Sequence, residues 1–499
     1  MNFKSVYFIG AGGIGMSALV RYFLHAGYTV AGYDRTETPL TRTLCQEGAL
    51  IHYTDDVSLI PEACRQKETA LVVFTPAIPA DHSELLYFQR EGFNIQKRAQ
   101  VLGTLTRQMR GLCVAGTHGK TTTTSMAAHL LHQSHVGCNA FLGGITKNYG
   151  TNYLLKEQPV ESAQKVKKIG QKAEGIAQQT ENIAQKAEGI TQKAEGIAQK
   201  ADTDFVVIEA DEFDRSFHHL RPYATVITAT DADHLDIYGT EEAYLESFAH
   251  YTSLIQPGGF LIQHTGLKMR ARPQEGVTTF TYSRDEGDFH AENVRIGNGR
   301  IVFNLVSPIE NIADVELGVP VSINIENGIA AMALAQIAGA TGEEIRRAML
   351  SFAGVDRRFD FKIKNEHCVF LSDYAHHPEE IRQSIISIRE VFNGRKLTGI
   401  FQPHLFTRTR DFYKEFAAAL SLLDELILLD IYPAREAPIP GVTSDIIRKE
   451  LRPEMPCILA HKDELPALVA GGQYDVLMLL GAGDADDYCP ELTQILLNK

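Results

Sequence analysis

The segment LCVAGTHGKTTTT, residues 112–124, constrains the fold more than any other stretch of these 499 residues. It reads as a buried strand running straight into the loop Gly116-Thr117-His118-Gly119-Lys120-Thr121 and then into a helix rich in Thr and Ala. A strand, a glycine turn and a helix in immediate succession are the parts of a parallel α/β sheet, which binds ligands at the carboxyl ends of its strands. Free backbone N–H groups at such a helix start can wrap phosphate oxygens. Lys120 can neutralise the β and γ groups, and Thr121 can offer a hydroxyl to Mg²⁺. Gly116, Thr117, His118, Gly119, Lys120, Thr121 and Thr122 therefore form a candidate nucleotide cradle, with ATP as its natural occupant. The pattern departs from the full P-loop form at Val114, where the first glycine would stand.

A second glycine loop opens the chain. The strand SVYFI leads into Gly10-x-Gly12-x-x-Gly15, a helix-like stretch follows, and the next strand, YTVAGYD, ends in Asp34. In this βαβ unit Gly10, Gly12, Gly13 and Gly15 let the backbone approach a diphosphate, and Asp34 is placed to accept from a ribose hydroxyl. NAD(P), FAD and a UDP-sugar satisfy that geometry alike. The strand ALVVFTP (70–76) extends the same sheet. After about Gly354 the alternation restarts with VFLSDYAHHP, LTGIFQPH, DELILLDIYPA and DVLMLLGAGD, interleaved with helical stretches such as 408–423. Three alternating segments between about 278 and 306 predict an antiparallel appendage. At roughly 100 to 200 residues per domain, this length suits about three domains.

Lys and Arg total 48 against 62 Asp and Glu, a net charge of −14, which disfavours generic attraction to nucleic acid or anionic membranes. The seven cysteines are scattered without a CxxC, the pattern of reduced thiols in a cytoplasmic protein. The uncharged run Ser5 to Val20 resembles a signal-peptide core in length, but its glycines fall in the nucleotide-loop pattern. No other stretch reaches the ~18 apolar residues that span a bilayer, so no membrane insertion is expected.

From Ile169 to Ala201 the chain repeats every seven residues, with Ile at 169, 176, 183, 190 and 197 and smaller residues three positions earlier. A helical arm is one reading. An expanded tandem repeat tolerated in a surface loop is the favoured one, because the stripe is only half bulky and its recurrent Gly costs about 1 kcal/mol each in a helix.

A hard cation beside the phosphate loop needs oxygen ligands. Glu209, Asp211, Glu212 and Asp214 crowd one strand end, and Asp231, Asp233 and His234 crowd another. Thr121, Glu209 and His234 are the candidate metal ligands, while Asp214 and Asp231 read as exposed acidic turns. Arg358 lies near the inferred junction of the second and third domains, where a guanidinium fork would clasp a phosphate as the domains close. Its neighbour Arg357 is expected in a surface ion pair. Asp373, Tyr374, His376 and His377 stand at and just after the end of VFLSD, read as the first strand of the third domain. Either histidine could simply cap the helix that starts at Pro378, and His376 is the expected substrate contact.

The motifs GAGGIGM, GTHGKTTTT, EADEFD, DADHLD, SINIEN, DRRFD, DYAHHP and FQPHLFTRTRD occur in an order that resembles the Mur ligase family, over essentially the whole chain except about 157–202. The resemblance implies an α/β protein of three domains: N-terminal Rossmann-like (1–109) for a UDP-sugar, central P-loop ATPase-like (110–354), and C-terminal Rossmann-like (355–499) for an amino acid. It implies a two-step ligation in peptidoglycan precursor synthesis. The lactyl carboxylate of UDP-N-acetylmuramate attacks the γ-phosphate of ATP, and the amine of L-alanine then displaces phosphate from the acyl phosphate. On this resemblance the catalytic set is Lys120, His234, Arg358, Asp373 and His376, with Mg²⁺ on Thr121 and Glu209 and a second Mg²⁺ on His234. Asn324 and Asn327 would contact the nucleotide; otherwise they are an N-cap and an ordinary polar helix residue. Thr75, Tyr374, His404 and Arg408 complete the substrate set. Leu405 stands where relatives often carry a basic residue, leaving Arg408 or Arg410 to cover the amino-acid carboxylate. A monomer or weak homodimer is expected. The rival readings are a ligase for an intact tripeptide, a nicotinamide-dependent oxidoreductase, which leaves the second phosphate loop without a purpose, and a non-catalytic scaffold built on the heptads.

Overall fold

The computed structural model describes residues 3–75, 78–156, 204–232, 235–297, 299–434 and 436–499. The heptad block, Asp233 and His234 lie outside the described residues, and with them the expectations set on those positions. Three domains follow one another along the chain, each built on its own parallel or mostly parallel sheet.

The first sheet holds β1 (Ser5–Ile9), β2 (Thr29–Tyr33), β3 (Leu50–His52), β4 (Ala70–Phe74) and β5 (Asn94–Lys97) in the order β3-β2-β1-β4-β5, all parallel. Every residue of β1 is buried, as a continuous apolar strand covered on both faces requires. The chain reverses direction of travel between β1 and β4, and the glycine loop sits at that switch point.

The middle sheet holds β6 (Arg110–Ala115), β7 (Asn139–Thr146), β8 (Thr151–Leu154), β9 (Phe205–Glu209), β10 (Pro222–Ile227), β11 (Phe260–His264) and β12 (Thr278–Tyr282). Their order is β12-β11-β10-β6-β9-β7-β8, and β8 runs antiparallel to β7. The phosphate loop therefore leaves the central strand, flanked by the ends of β9 and β10. The Ile323–Ile337 helix, buried over most of its length, shares a core with the Lys120–His132 helix through Ile325, Ile329, Met126 and Leu130.

The antiparallel appendage differs from the expectation. Thr278–Tyr282 is the edge of the parallel sheet, in register with β11, and the small antiparallel sheet is β13 (His290–Gly297), β14 (Arg300–Val306) and β15 (Ile312–Glu316). Alternation reports that a strand buries one face; it carries no information about which strand its edge will pair with.

The third sheet is β16 (Asp360–Lys364), β17 (Val369–Asp373), β18 (Leu397–Phe401), β19 (Glu425–Leu429), β20 (Cys457–Ala460) and β21 (Val476–Leu480), ordered β16-β17-β21-β18-β19-β20. VFLSD is thus its second strand, preceded by the antiparallel edge strand β16. Arg357 forms the expected ion pair, with Asp486 at 3.5 Å between two partly exposed side chains, and it makes further contacts. Its Nη2 donates to the carbonyls of Gly481 (3.1 Å) and Gly483 (2.9 Å), and its guanidinium lies over the Tyr374 ring. Among the described residues no helix is long and apolar enough to cross a membrane.

The domains are joined by buried polar contacts. Arg21 clasps Glu47 and donates to Asn152 Oδ1 (2.6 Å), whose amide in turn donates to Ser17 Oγ (3.0 Å). Asp360, with its side chain fully buried, accepts from Lys147 and Lys362, each at 2.6 Å. Burial would raise the Asp360 pKa, but the two lysine hydrogen bonds outweigh it and hold the carboxyl below its ordinary value. Near the ordinary carboxylate pKa, about 3.9, the native chain therefore binds fewer protons than the unfolded one. This stabilisation is present above that pH and is lost as pH falls through the native value. Asp360→Ala strands two ammonium groups and is expected to cost about 2 kcal/mol, read as a lower urea midpoint at pH 7, with the difference from wild type shrinking below about pH 4.

Candidate active site

The phosphate loop is shaped by what surrounds it. Gly116 has φ +138°, and a Cβ there would sit 2.1 Å from Thr228 Oγ1 and 2.8 Å from Ala229 N, so glycine alone lets the loop lie against the end of β10. At Gly119 a Cβ would meet Asn327 Oδ1 at 2.7 Å. Behind the loop, Thr123 Oγ1 donates to Asn327 Oδ1 (3.2 Å), the Asn327 amide to Asn324 Oδ1 (3.1 Å), and the Asn324 amide to the Val319 carbonyl (3.1 Å). Ser322 is the N-cap of that helix, so the capping reading of Asn324 gives way to a buried chain of amides.

Lys120 Nζ folds back over its own loop and donates to the carbonyls of Gly116 (2.6 Å) and Thr117 (3.2 Å) and to Glu212 Oε1 (2.8 Å). The Thr121 hydroxyl donates to Glu209 Oε1 (3.1 Å). Glu209 Oε2 and Glu212 Oε2 are buried and have no hydrogen-bond partner among the described residues. Gly143 of β7 makes the space for Glu209, since a Cβ there would fall 2.2 Å from Glu209 Oε2. Burial raises the Glu212 pKa, and the charge and hydrogen bond of Lys120 only partly counter it. Asp211 and Asp214 instead pair with Arg98 (3.2 Å) and Lys97 (2.7 Å) of the first domain. Sequence reasoning saw four acids in this turn and gave Glu212 no role. Which acid faces the lysine depends on the turn after β9, where Asp214 and Arg215 adopt positive φ.

Among the described residues no group of three or more His, Cys, Asp and Glu side chains could hold a metal ion by itself. Mg²⁺ does not need such a cage: it binds through one or two protein oxygens, substrate phosphates and water. The orphaned Glu209 oxygen beside the Thr121 hydroxyl fits that requirement.

The third domain supplies a second group of side chains. Asp373 ends β17 fully buried, and burial pushes its carboxyl up to about 6 although the Ser384 hydroxyl and Arg358 oppose the shift. Tyr374 lies beneath the guanidinium of Arg358, 5.1 Å from its ring centre. The His376 Nδ1 lies 3.0 Å from the Tyr374 carbonyl, its ring centre is 6.2 Å from that of His404, and His404 Nδ1 is 3.5 Å from Arg408 Nη1. Burial, then the Arg408 charge, holds His404 down to about 4, so its imidazole is neutral at pH 7. Arg410 pairs with Asp411 (2.7 Å), which leaves Arg408 as the basic residue beside His404. Leu405 has φ +72° and opens the helix that carries Arg408.

A cavity of about 570 Å³ lies between the middle and third domains, and Gly119, Thr122, Asn324, Asn327, Arg358 and Asp373 are among its walls. The fold thus brings the phosphate loop, both asparagines and the third domain's arginine around one space. Lys120, Thr121, Glu209, Tyr374, His376, His404 and Arg408 lie off that lining, and so does the first domain's glycine loop. There Asp34 Oδ2 accepts from Gly12 N–H (2.7 Å) and Oδ1 from Thr36 N–H (3.2 Å), so this carboxylate braces the loop itself. A Cβ on Gly10 would strike the Thr75 methyl at 2.6 Å, and one on Gly15 would strike Arg98. Arg98, which sequence reasoning missed, therefore spans from the glycine loop to Asp211, two residues beyond Glu209.

Comparison with known proteins agrees along the whole chain. Residues 5–110 match the profile described as Mur ligase family, catalytic domain; residues 114–335 match Mur ligase middle domain; residues 357–483 match Mur ligase, glutamate ligase domain. The chain is 59% identical over 496 residues to a UDP-N-acetylmuramate--L-alanine ligase of Phocaeicola vulgatus, covering 99% of each chain. It is 47% identical over 485 residues to the protein of the same description from Porphyromonas gingivalis, covering 97% of each. Among solved structures it resembles a UDP-N-acetylmuramate-alanine ligase from Thermotoga maritima, with TM-score 0.76, 24% identity and 99% of each chain covered. A murein peptide ligase from Psychrobacter arcticus aligns with TM-score 0.62 at 19% identity over 99% of each chain. Three domain profiles in sequence and relatives matched from end to end leave one assignment: the chain belongs to the Mur ligase family.

Proposed function

We propose that this chain is an ATP-dependent ligase that joins L-alanine to the carboxylate of UDP-N-acetylmuramate through an acyl phosphate. The observation that carries the reading is the cavity in which His118, Gly119 and Thr122 of the phosphate loop, with Asn324 and Asn327, face Arg358 of the third domain. The descriptions of the most similar relatives support the choice of substrates.

Each step finds its groups on this chain. The triphosphate lies on the N–H groups of Gly116 to Thr121, with Lys120 exchanging the Gly116 and Thr117 carbonyls for phosphate oxygens. The UDP-sugar is held at the Gly10–Gly15 loop and extends its carboxylate toward the end of β9. Thr121 and Glu209 would hold Mg²⁺, which when bound would supply charge cancellation on the transferred group. Arg358 binds the same group from the third domain. Attack of the carboxylate on the γ-phosphate releases ADP and leaves the acyl phosphate. The amine of L-alanine, whose carboxylate Arg408 receives, then attacks the acyl carbon, and inorganic phosphate leaves as the amide forms. Burial and the Arg408 charge outweigh Glu380 and keep His376 neutral, so it can take the proton the ammonium must lose.

A coupled ADP-release assay with UDP-N-acetylmuramate and a panel of amino acids tests this. L-Alanine is expected to support turnover by far the best. Turnover with an intact tripeptide and none with L-alanine would replace the reading by the tripeptide-ligase rival.

A further inference from the structure

We propose that Glu380 is a positioning residue for ligation: through His118 it fixes the phosphate loop of the middle domain against the amino-acid cluster of the third. The proposal rests on the ligase reading and names a residue that the reading itself does not require.

Glu380 sits in the first turn of the Pro378–Val391 helix and divides two tasks between its oxygens. Oε2 accepts from the backbone N–H groups of His376 (3.1 Å) and His377 (3.2 Å), and lies 3.3 Å from the His376 ring Nδ1. Oε1 points across the domain gap and lies 3.6 Å from Nδ1 of His118. A cap needs one acceptor oxygen. The other oxygen is thus free to reach the loop residue two places before Lys120, and both Glu380 and His118 line the shared cavity.

The contact favours the protonated form of His118. Burial alone would lower the His118 pKa, but the Glu380 carboxylate 3.6 Å away, helped by Asp231 and opposed by Lys120, raises it. Burial alone would raise the Glu380 carboxyl, yet His118, the backbone N–H of His376 and Arg358 hold it well below the usual carboxylate range. His118 is partly exposed, so the pair contributes little to global stability. Its leverage is positional. His376 sits beside His404, which meets Arg408, so one carboxylate connects the phosphate cradle to the side chains assigned to the incoming amine. A misplacement of about 1 Å between reacting groups costs on the order of a hundredfold in rate.

Glu380→Gln separates the two tasks, because a Gln carbonyl still accepts the backbone N–H groups and the charge toward His118 is gone. The experiment is a double-mutant cycle of Glu380→Gln and His118→Asn in the full-length chain. It follows kcat, the KM for L-alanine and the calorimetric Kd of UDP-N-acetylmuramate. Each single variant is expected to lose about tenfold or more in kcat and to raise the KM for L-alanine, with UDP-sugar binding within about twofold of wild type. The double variant is expected to be no worse than the poorer single. Wild-type kinetics in Glu380→Gln, or losses that multiply in the double variant, overturn the positioning role. A wild-type chain that turns over no L-alanine overturns the ligase reading instead, and the two failures are told apart in one set of assays.

Discussion

Lys120→Ala is expected to reduce kcat/KM for ATP by about a thousandfold or more while UDP-N-acetylmuramate still binds, read by ADP release and by calorimetry respectively. The loss has two parts. The first is the cation that neutralises the β and γ groups. The second follows from Glu212, whose side chain is almost wholly buried and has Lys120 as its ion-pair partner at 2.8 Å. Without the lysine this buried carboxyl has no cationic partner in a poorly solvated site beside the incoming triphosphate, and the cost of leaving it unpaired adds to the deficit. Lys120→Ala with Glu212→Gln should therefore bind ATP better than Lys120→Ala alone, although neither restores transfer. The Gly10–Gly15 loop, proposed to hold the UDP-sugar, belongs to another domain, so the affinity for UDP-N-acetylmuramate should not follow. Unchanged turnover in the single variant would remove Lys120 from the mechanism.

Arg358→Ala should lower kcat/KM about a hundredfold, and Arg358→Lys should recover little of it. A guanidinium offers two parallel donors to a phosphate in a fixed plane, and an ammonium at the same distance offers one point of charge. The ring of Tyr374 beneath Arg358 and the carboxylates of Asp373 and Glu380 near it hold that plane facing the cavity. Losing the cation–ring contact costs at most about 1 kcal/mol, so urea unfolding should barely change. Normal kinetics combined with lowered stability would make Arg358 a structural residue.

Much of this site was legible because its elements are contiguous in the chain. Gly116, Gly119, Lys120 and Thr121 lie within six residues, and the backbone conformation that binds phosphate is a local property of that stretch. The same holds for Gly10 to Gly15 and for β17 leading into His376. Partners from distant segments were not legible. Glu212 meets Lys120 from 92 residues away, Arg98 reaches Asp211 from another domain, and Glu380 faces His118 across a domain gap. The edge strand Thr278–Tyr282 was assigned to the wrong sheet for a related reason: its residues state which face is buried and leave its neighbour open.

The sequence by itself determined that three α/β units follow one another, that two of them present glycine loops after buried strands, and which lysine and threonine open the helix after the second loop. Local backbone preferences and the alternation of strands and helices are sufficient for that. The tertiary structure alone decided that Glu212 rather than Asp211 or Asp214 neutralises Lys120, that Asp34 braces its own loop, and that Arg358 and Glu380 share a cavity with His118. Those outcomes depend on strand order and on the angle at which whole domains meet. Both are fixed by burying apolar surface summed over many residues, a quantity that no short motif contains.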